Sequence, residues 1–444
     1  MPKKLTNKKP RYNLNLVLQE TGIKADTLRA WERRYHLPQP QRTEGGHRLF
    51  SDYDIETIKW LITRQEEGLS ISRAVNLWRE IESIGQDPVI ASIKSILDPN
   101  VPGITTQEYE RVDGMRYEWV QACLDFDEPV ADQILSQSFA QFSLETVCTE
   151  ILQAGLAHIG SLWYEGAASV QQEHFASELA TRRLQSLILA APQPMHQGSI
   201  LVGCPQDEAH TFSALLITLF LRYRGWNVTY LGAKVPQEKL KETIEKTNPD
   251  LVVMTSMRLA TSARLFEMAK LLNKLNVPLA FGGLIFNHFP DLPKIIPGHY
   301  LGDKLVESIS IIENLLTSPM PQINLKSETK QFSKAIAHFV DKRQHIEIDT
   351  LDQVKEKFGP DFPLKSIQDA NNYLAQDLLA ALCLGDISLL GSNIEWVQNL
   401  LANFNIPGKF LSHYLLAYRN AAERHLEEPG QPIVDWLTST TNKI

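Results

Sequence analysis

Glu208 and His210 stand two residues apart within the run from Gly198 to Leu221, which reads as a short apolar strand, a polar loop and an apolar helix. That pairing could do metal chemistry. A neutral imidazole is a good ligand when a carboxylate holds its other ring nitrogen. In an open α/β sheet, ligands bind at the carboxyl ends of the strands, and this loop is such an end. His210 is therefore read as a metal ligand and Glu208 as the group that orients it. Cys204 lies nearby with no base beside it and is assigned no chemistry. The other cysteines, Cys123, Cys148 and Cys383, are far apart and form no metal spacing.

Strands and helices must alternate to place such a loop, and residues 198–317 do so. Expected strands cover 200–202, 227–231, 251–255, 279–282 and 299–301, with helices over 209–224, 237–247, 263–275 and 304–316. Five such units predict a flavodoxin-like (Rossmann-like) parallel sheet. Its first loop lacks the Gly-rich phosphate fingerprint, which argues against a nucleotide cofactor. Upstream, residues 109–191 repeat apolar side chains every three or four positions, the pattern of a four-helix bundle. Downstream of a polar, proline-containing stretch, residues 331–437 are again helical. The histidines there, His338, His345, His413 and His425, show no ligand spacing.

Charge separates the beginning of the chain from the rest. Residues 1–50 hold eleven Lys and Arg against four Asp and Glu, in a chain of net charge −8. A basic head on an acidic body points to a polyanion as the partner of the head alone. Within it, Leu14, Val17 and Leu18 mark one short helix. After a turn at Gly22, residues 25–35 mark a second, with Leu28 and Trp31 inward and Arg29, Arg33 and Arg34 outward. That is a helix-turn-helix arrangement. Residues 42–50 then read as a two-stranded wing turned by Gly45-Gly46, with Arg42 and Arg48 flanking it for phosphates.

Three resemblances sharpen these readings. The run from Thr27 to Tyr35, followed by Pro40 to Asp52, closely resembles the winged-helix DNA-binding domain of the MerR family over nearly seventy residues. The resemblance implies that Thr27, Arg29 and Arg33 enter the major groove, while Arg42, His47 and Arg48 hold the DNA backbone. The long coiled-coil helix usual after such a domain is missing from the pattern: Gly85, Pro88, Pro99, Pro102 and Gly103 break the chain.

Glu208-x-His210-x-x-Ser213, Thr255-Ser256 and Gly282-Gly283 resemble the cobalamin-binding signature of methionine synthase-like proteins, Asp/Glu-x-His-x-x-Gly, Ser-x-Leu and Gly-Gly. There the histidine replaces the cofactor's own base below cobalt, and the nucleotide tail slides into the sheet past small residues. Ser213 in place of glycine, and Arg258 in place of leucine, depart from that pattern. Finally, Trp163 followed by Glu173-His174 resembles the bundle that caps cobalamin in CarH-type light-sensing repressors. On that resemblance Trp163 covers the upper ligand, and Glu173 and His174 hydrogen-bond the adenosyl group. Some members carry a histidine beside the tryptophan; here the neighbour is Tyr164.

The expected architecture is multidomain, mainly α with α/β. It comprises a basic arm (1–11), a winged helix-turn-helix (12–81), a linker (82–106), a helical-bundle cap (107–195), a Rossmann-like domain (196–320) and an extra all-α C-terminal domain (321–444). The expected function is a non-enzymatic, adenosylcobalamin-dependent, light-responsive transcriptional regulator binding double-stranded DNA, homo-oligomeric as a dimer or tetramer. The alternatives are a light-indifferent cobalamin sensor, a cofactor-free MerR regulator and a corrinoid methyl carrier. No apolar run approaches the ~20 residues of a membrane span, so the chain is expected to be cytoplasmic.

Overall fold

The computed structural model describes residues 9–21, 23–35, 37–38, 40–42, 48–66, 71, 74–75, 78–79, 106–318, 332–359, 364–391, 394, 397 and 409–442. These fall into two compact units, Met1–Tyr109 and Glu110–Ile444. The linker expected over 82–106, apart from its last residue, lies outside the described residues, as does all of 319–331.

In the first unit, helix α1 (Leu14–Thr21) is capped by Asn13, whose side chain accepts from the Leu16 amide at 3.0 Å. Helix α2 (Ala25–Tyr35) buries Leu28 and Trp31 and exposes Thr27, Arg29, Arg33 and Arg34, as its spacing predicts. Strands β1 (Gln41–Arg42) and β2 (Arg48–Leu49) pair antiparallel as the base of a wing. The wing turn, including His47, and the side chain of Arg42 lie outside the described residues. Helix α3 (Asp52–Glu66) starts at a reciprocal cap: Ser51 N donates to Asp54 Oδ2 at 2.8 Å, and Asp54 N donates to Ser51 Oγ at 3.1 Å. Val17, Leu28, Trp31, Phe50, Ile58, Leu61 and Trp78 form the core. Each such buried side chain contributes about 1.5–3 kcal/mol.

Four longer helices follow along the chain: α4 (Thr106–Leu124), α5 (Glu128–Gln141), α6 (Ala154–Tyr164) and α7 (Val170–Leu189). A π-helical segment, Val147–Gln153, leads into α6, a feature that apolar periodicity does not foretell. Ser169 and Gln172 cap α7 reciprocally, which explains why the chain breaks at Gly166 and restarts as a helix four residues later. Trp119 is fully buried against Gly155, where a Cβ would lie 2.8 Å from the indole.

Five parallel strands follow in the order β4-β3-β5-β6-β7. They are β3 (Ser199–Pro205), β4 (Asn227–Val235), β5 (Leu251–Thr255), β6 (Leu279–Gly282) and β7 (His299–Tyr300). Helices α8 (Phe212–Tyr223), α9 (Leu240–Thr247), α10 (Leu259–Lys274), α11 (Leu284–His288) and α12 (Leu305–Thr317) intervene or follow. The expected flavodoxin-like order is thus present. The direction of winding reverses between β3 and β5, the place where such sheets bind ligands. One correction concerns α8, expected from residue 209. It starts at Phe212, because Gln206–Thr211 is held as a loop by Glu208.

Side chains alternate across the sheet with the two-residue period of a strand. Ile200, Val202, Cys204, Val253 and Ala280 share a core with the four-helix bundle. Leu201, Val252, Met254 and Phe281 belong to a second core, which continues into the C-terminal helices. Those are α13 (Ser333–Phe358), α14 (Leu364–Leu384), α15 (Lys409–His425) and α16 (Gln431–Thr441), with α14 packed along α10. The C-terminal helices are therefore a layer on the far face of the sheet.

Candidate cobalamin site and DNA-binding head

The three loops singled out by the sequence meet at the carboxyl edge of the sheet. The β3 loop carries Glu208 and His210, the β5 loop Ser256 to Arg258, and the end of β6 supplies Gly282 and Gly283. The Glu208 side chain is 0% exposed, and its carboxylate accepts four hydrogen bonds. Its Oε1 takes the His210 amide at 3.0 Å and His210 Nδ1 at 2.6 Å. Its Oε2 takes the Met257 amide at 2.8 Å and the Thr261 hydroxyl at 2.6 Å. Burial pushes this carboxyl up, but the bonds from His210, Thr261 and the two amides outweigh it and hold it at about 2. The group is an anion fixed in place.

His210 is the outward end of that arrangement. Its side chain is 61% exposed, with Nδ1 engaged by Glu208. The bond to Glu208 raises its pKa, burial opposes that, the Arg258 charge lowers it and the Glu173 carboxylate raises it. Glu173, at the start of α7 in the bundle, and Arg258, on the β5 loop, are thus both near enough to act on this imidazole. Among the described residues no group of three or more His, Cys, Asp or Glu could hold a bare metal ion. This donor set suits a metal that arrives with most of its ligands already in place. A single oriented imidazole at a sheet edge fits a corrinoid.

The remaining residues divide by position. Thr255 and Ser256 are buried, and their hydroxyls face protein partners: Thr255 Oγ1 lies 3.4 Å from Cys204 Sγ, and Ser256 Oγ lies 2.7 Å from Thr261 Oγ1. Burial pushes the Cys204 thiol up to about 11, in keeping with its having no assigned chemistry. Gly283 has φ +128°, and a Cβ there would sit 2.0 Å from the Ser256 carbonyl oxygen. Backbone contact between the β5 and β6 loops therefore requires this glycine. At Gly282 a Cβ would meet only Leu301, at 3.7 Å. Trp163 and Tyr164 are half-buried at the end of α6. His174, its side chain 73% exposed, pairs through Nδ1 with Glu173 Oε2 at 2.8 Å, and Ser177 Oγ donates to Glu173 Oε1 at 2.8 Å.

Sequence reasoning missed Met257 and Thr261 as holders of Glu208. It also missed what Arg258 does. Its Nη2 donates to Gln376 Oε1 at 2.6 Å, and its guanidinium lies over the Tyr373 ring, 5.4 Å from the centroid, both on α14 of the C-terminal layer. In the first unit, Arg48 Nε donates to Glu32 of α2, at 2.7 and 3.0 Å, and so ties the wing strand to that helix.

Residues 12–80 match the family described as MerR HTH family regulatory protein, and residues 116–188 and 198–300 each match a family described as B12 binding domain. The HTH-type transcriptional repressor CarH of Myxococcus xanthus is 30% identical over 256 residues, covering 58% of this chain and 82% of CarH. The chain belongs to the CarH family of HTH-type transcriptional repressors. A second member, CarA of the same organism, is 31% identical over 248 residues, covering 55% of this chain and 76% of CarA. This CarH-family chain is a MerR-type regulator with cobalamin-binding domains. Among solved structures, the monomethylamine corrinoid protein of Methanosarcina barkeri has 15% identity and a TM-score of 0.40, covering 48% of this chain and all of that one. No helix among the described residues is long and apolar enough to cross a membrane.

Proposed function

We propose that the protein is a light-responsive, adenosylcobalamin-dependent transcriptional regulator, acting in the cytoplasm without catalysing a reaction. The observation that carries this reading is the exposed His210 imidazole, held at Nδ1 by a buried carboxylate. Bound adenosylcobalamin would supply a light-sensitive cobalt–carbon bond. His210 Nε2 would ligate the metal of that cofactor, while Glu208 fixes the ring and keeps the proton on Nδ1. Trp163 would pack against the bound cofactor, and Glu173 with His174 would offer hydrogen bonds to an adenosyl group. Thr255, Ser256, Gly282 and Gly283 border the route of the nucleotide tail.

In the head, Thr27, Arg29 and Arg33 read the major groove, and Arg42, His47 and Arg48 hold phosphates. Two or more heads on one dimer or tetramer bind an operator far more tightly than one, through effective concentration. The packing of the bundle would respond to the presence or absence of the adenosyl group, and assembly and DNA affinity would change with it. Purified protein loaded in the dark and then illuminated should change its absorbance, its elution volume and its DNA affinity together. Identical elution and DNA affinity in both states would sink the light-response reading.

Tyr164 supports a second reading. Phenol is a poor cobalt ligand at neutral pH, so no histidine-like replacement stands ready beside Trp163. A protein that needs cobalamin to bind DNA, yet elutes and binds identically in dark and light, is a light-indifferent sensor.

A further inference from the structure

We infer that the C-terminal helical layer positions the Glu208–His210 pair, with Arg258 as the strut between them. In the cobalamin-binding signature, leucine is expected where Arg258 stands. The structure gives that arginine partners which a chain lacking the layer would not supply: Gln376 Oε1 at 2.6 Å and the ring of Tyr373. Both lie on α14, well over a hundred residues away in sequence.

At its other end Arg258 is part of the loop that holds Glu208. The amide next to it, Met257 N, donates to Glu208 Oε2 at 2.8 Å, and Arg258 N donates to Thr261 Oγ1 at 3.3 Å. Thr261 in turn donates to Glu208 Oε2 at 2.6 Å. A continuous set of contacts thus runs from α14 through Arg258, Met257 and Thr261 to Glu208 and the imidazole. The layer and the loop share one core, because α14 packs on α10, which starts at the residue after Arg258. A rigid layer gripping a planar guanidinium fixes the loop far better than solvent would, since the fork and the ring face restrict it in two directions. Burial pushes the Asp377 carboxyl, beside Gln376, up to about 6, and the nearby Arg258 charge opposes that shift.

Tyr373→Ala/Gln376→Ala in the full chain removes the grip without touching the Glu208 network, and Arg258→Leu restores the expected signature residue. Titrated with adenosylcobalamin in the dark, the double variant should bind about three- to tenfold more weakly than the parent protein. At saturation it should also show a smaller fraction of imidazole-ligated cobalt in its absorption spectrum. Adding the same pair of changes to Arg258→Leu should have no further effect, because the strut is already gone. Unaltered affinity and spectrum in the double variant would overturn the inference.

The titration rests on the site being a cobalamin site, so a second arm uses cofactor-free protein. Hydrogen exchange at amides 256–261 should quicken about tenfold in Tyr373→Ala/Gln376→Ala. Unchanged exchange would overturn the strut by itself. Faster exchange in a protein that binds no cobalamin would uphold the strut and end the cofactor reading instead.

Discussion

Glu208 Oε1 and His210 Nδ1 lie 2.6 Å apart, the carboxylate fully buried and the imidazole open to solvent. A buried anion thus serves as the fixed seat of an outward-facing base. Removing the ring should abolish imidazole ligation: His210→Ala titrated with cobalamin is expected to show no imidazole-ligated spectrum. Glu208→Gln keeps the shape and loses the charge, and its affinity should fall about 10- to 100-fold. Equal affinity in Glu208→Gln and the parent protein would deny the carboxylate its orienting role.

The same pair sets a pH dependence. Glu208 is depressed from 4.5 to about 2, so its contribution to stability is present above pH 4.5 and is lost as pH falls towards 2. His210 is raised above 6.5, so its contribution to the cofactor-free fold is complete below 6.5 and fades as pH rises through the raised value. On the proposed function cobalt would compete with the proton for Nε2, so ligation should follow the opposite sense and weaken on acidification. Denaturant unfolding of the cofactor-free protein from pH 2 to 9 should show the acid-side loss, and Glu208→Gln should flatten it. In Glu208→Gln holoprotein the midpoint for loss of ligation should move to lower pH.

Gly283 and Gly282 should respond very differently to the same change. Gly283→Ala must place its Cβ 2.0 Å from the Ser256 carbonyl oxygen at φ +128°, so the β5 and β6 loops must part. That should cost about 2–4 kcal/mol in chemical denaturation. Gly282→Ala meets Leu301 at an ordinary 3.7 Å and should cost under about 1 kcal/mol.

The wing is tied to α2 by Arg48 and Glu32. Arg48→Ala and Glu32→Ala should each weaken operator binding, and the double variant should be little worse than Arg48→Ala alone. Arg29→Ala and Arg33→Ala truncate exposed side chains of α2. If the arginine pairs with a phosphate, its removal lowers the salt slope of DNA binding by about one. If it hydrogen-bonds a base edge, its removal relaxes discrimination by about 1–3 kcal/mol. Electrophoretic mobility shifts at several salt concentrations separate the two outcomes.

Much of this was legible along the chain because the signals are local. Leu28 and Trp31 share a helix face, Ser169 and Gln172 form a cap, and apolar strands alternate with apolar helices. Glu208 and His210 are close enough in sequence for one turn of loop to join them. What tertiary structure alone decided is what lies behind that pair. The Met257 amide and Thr261 hydroxyl reach Glu208 across 49 and 53 positions, and Gln376 reaches Arg258 across 118. Contacts made across such separations leave no periodicity or motif, since the sheet and the layer on its far face bring them together only once packed. Arg258 shows the difference most clearly: one residue out of pattern along the chain, and in the fold the side chain joining the layer to the loop.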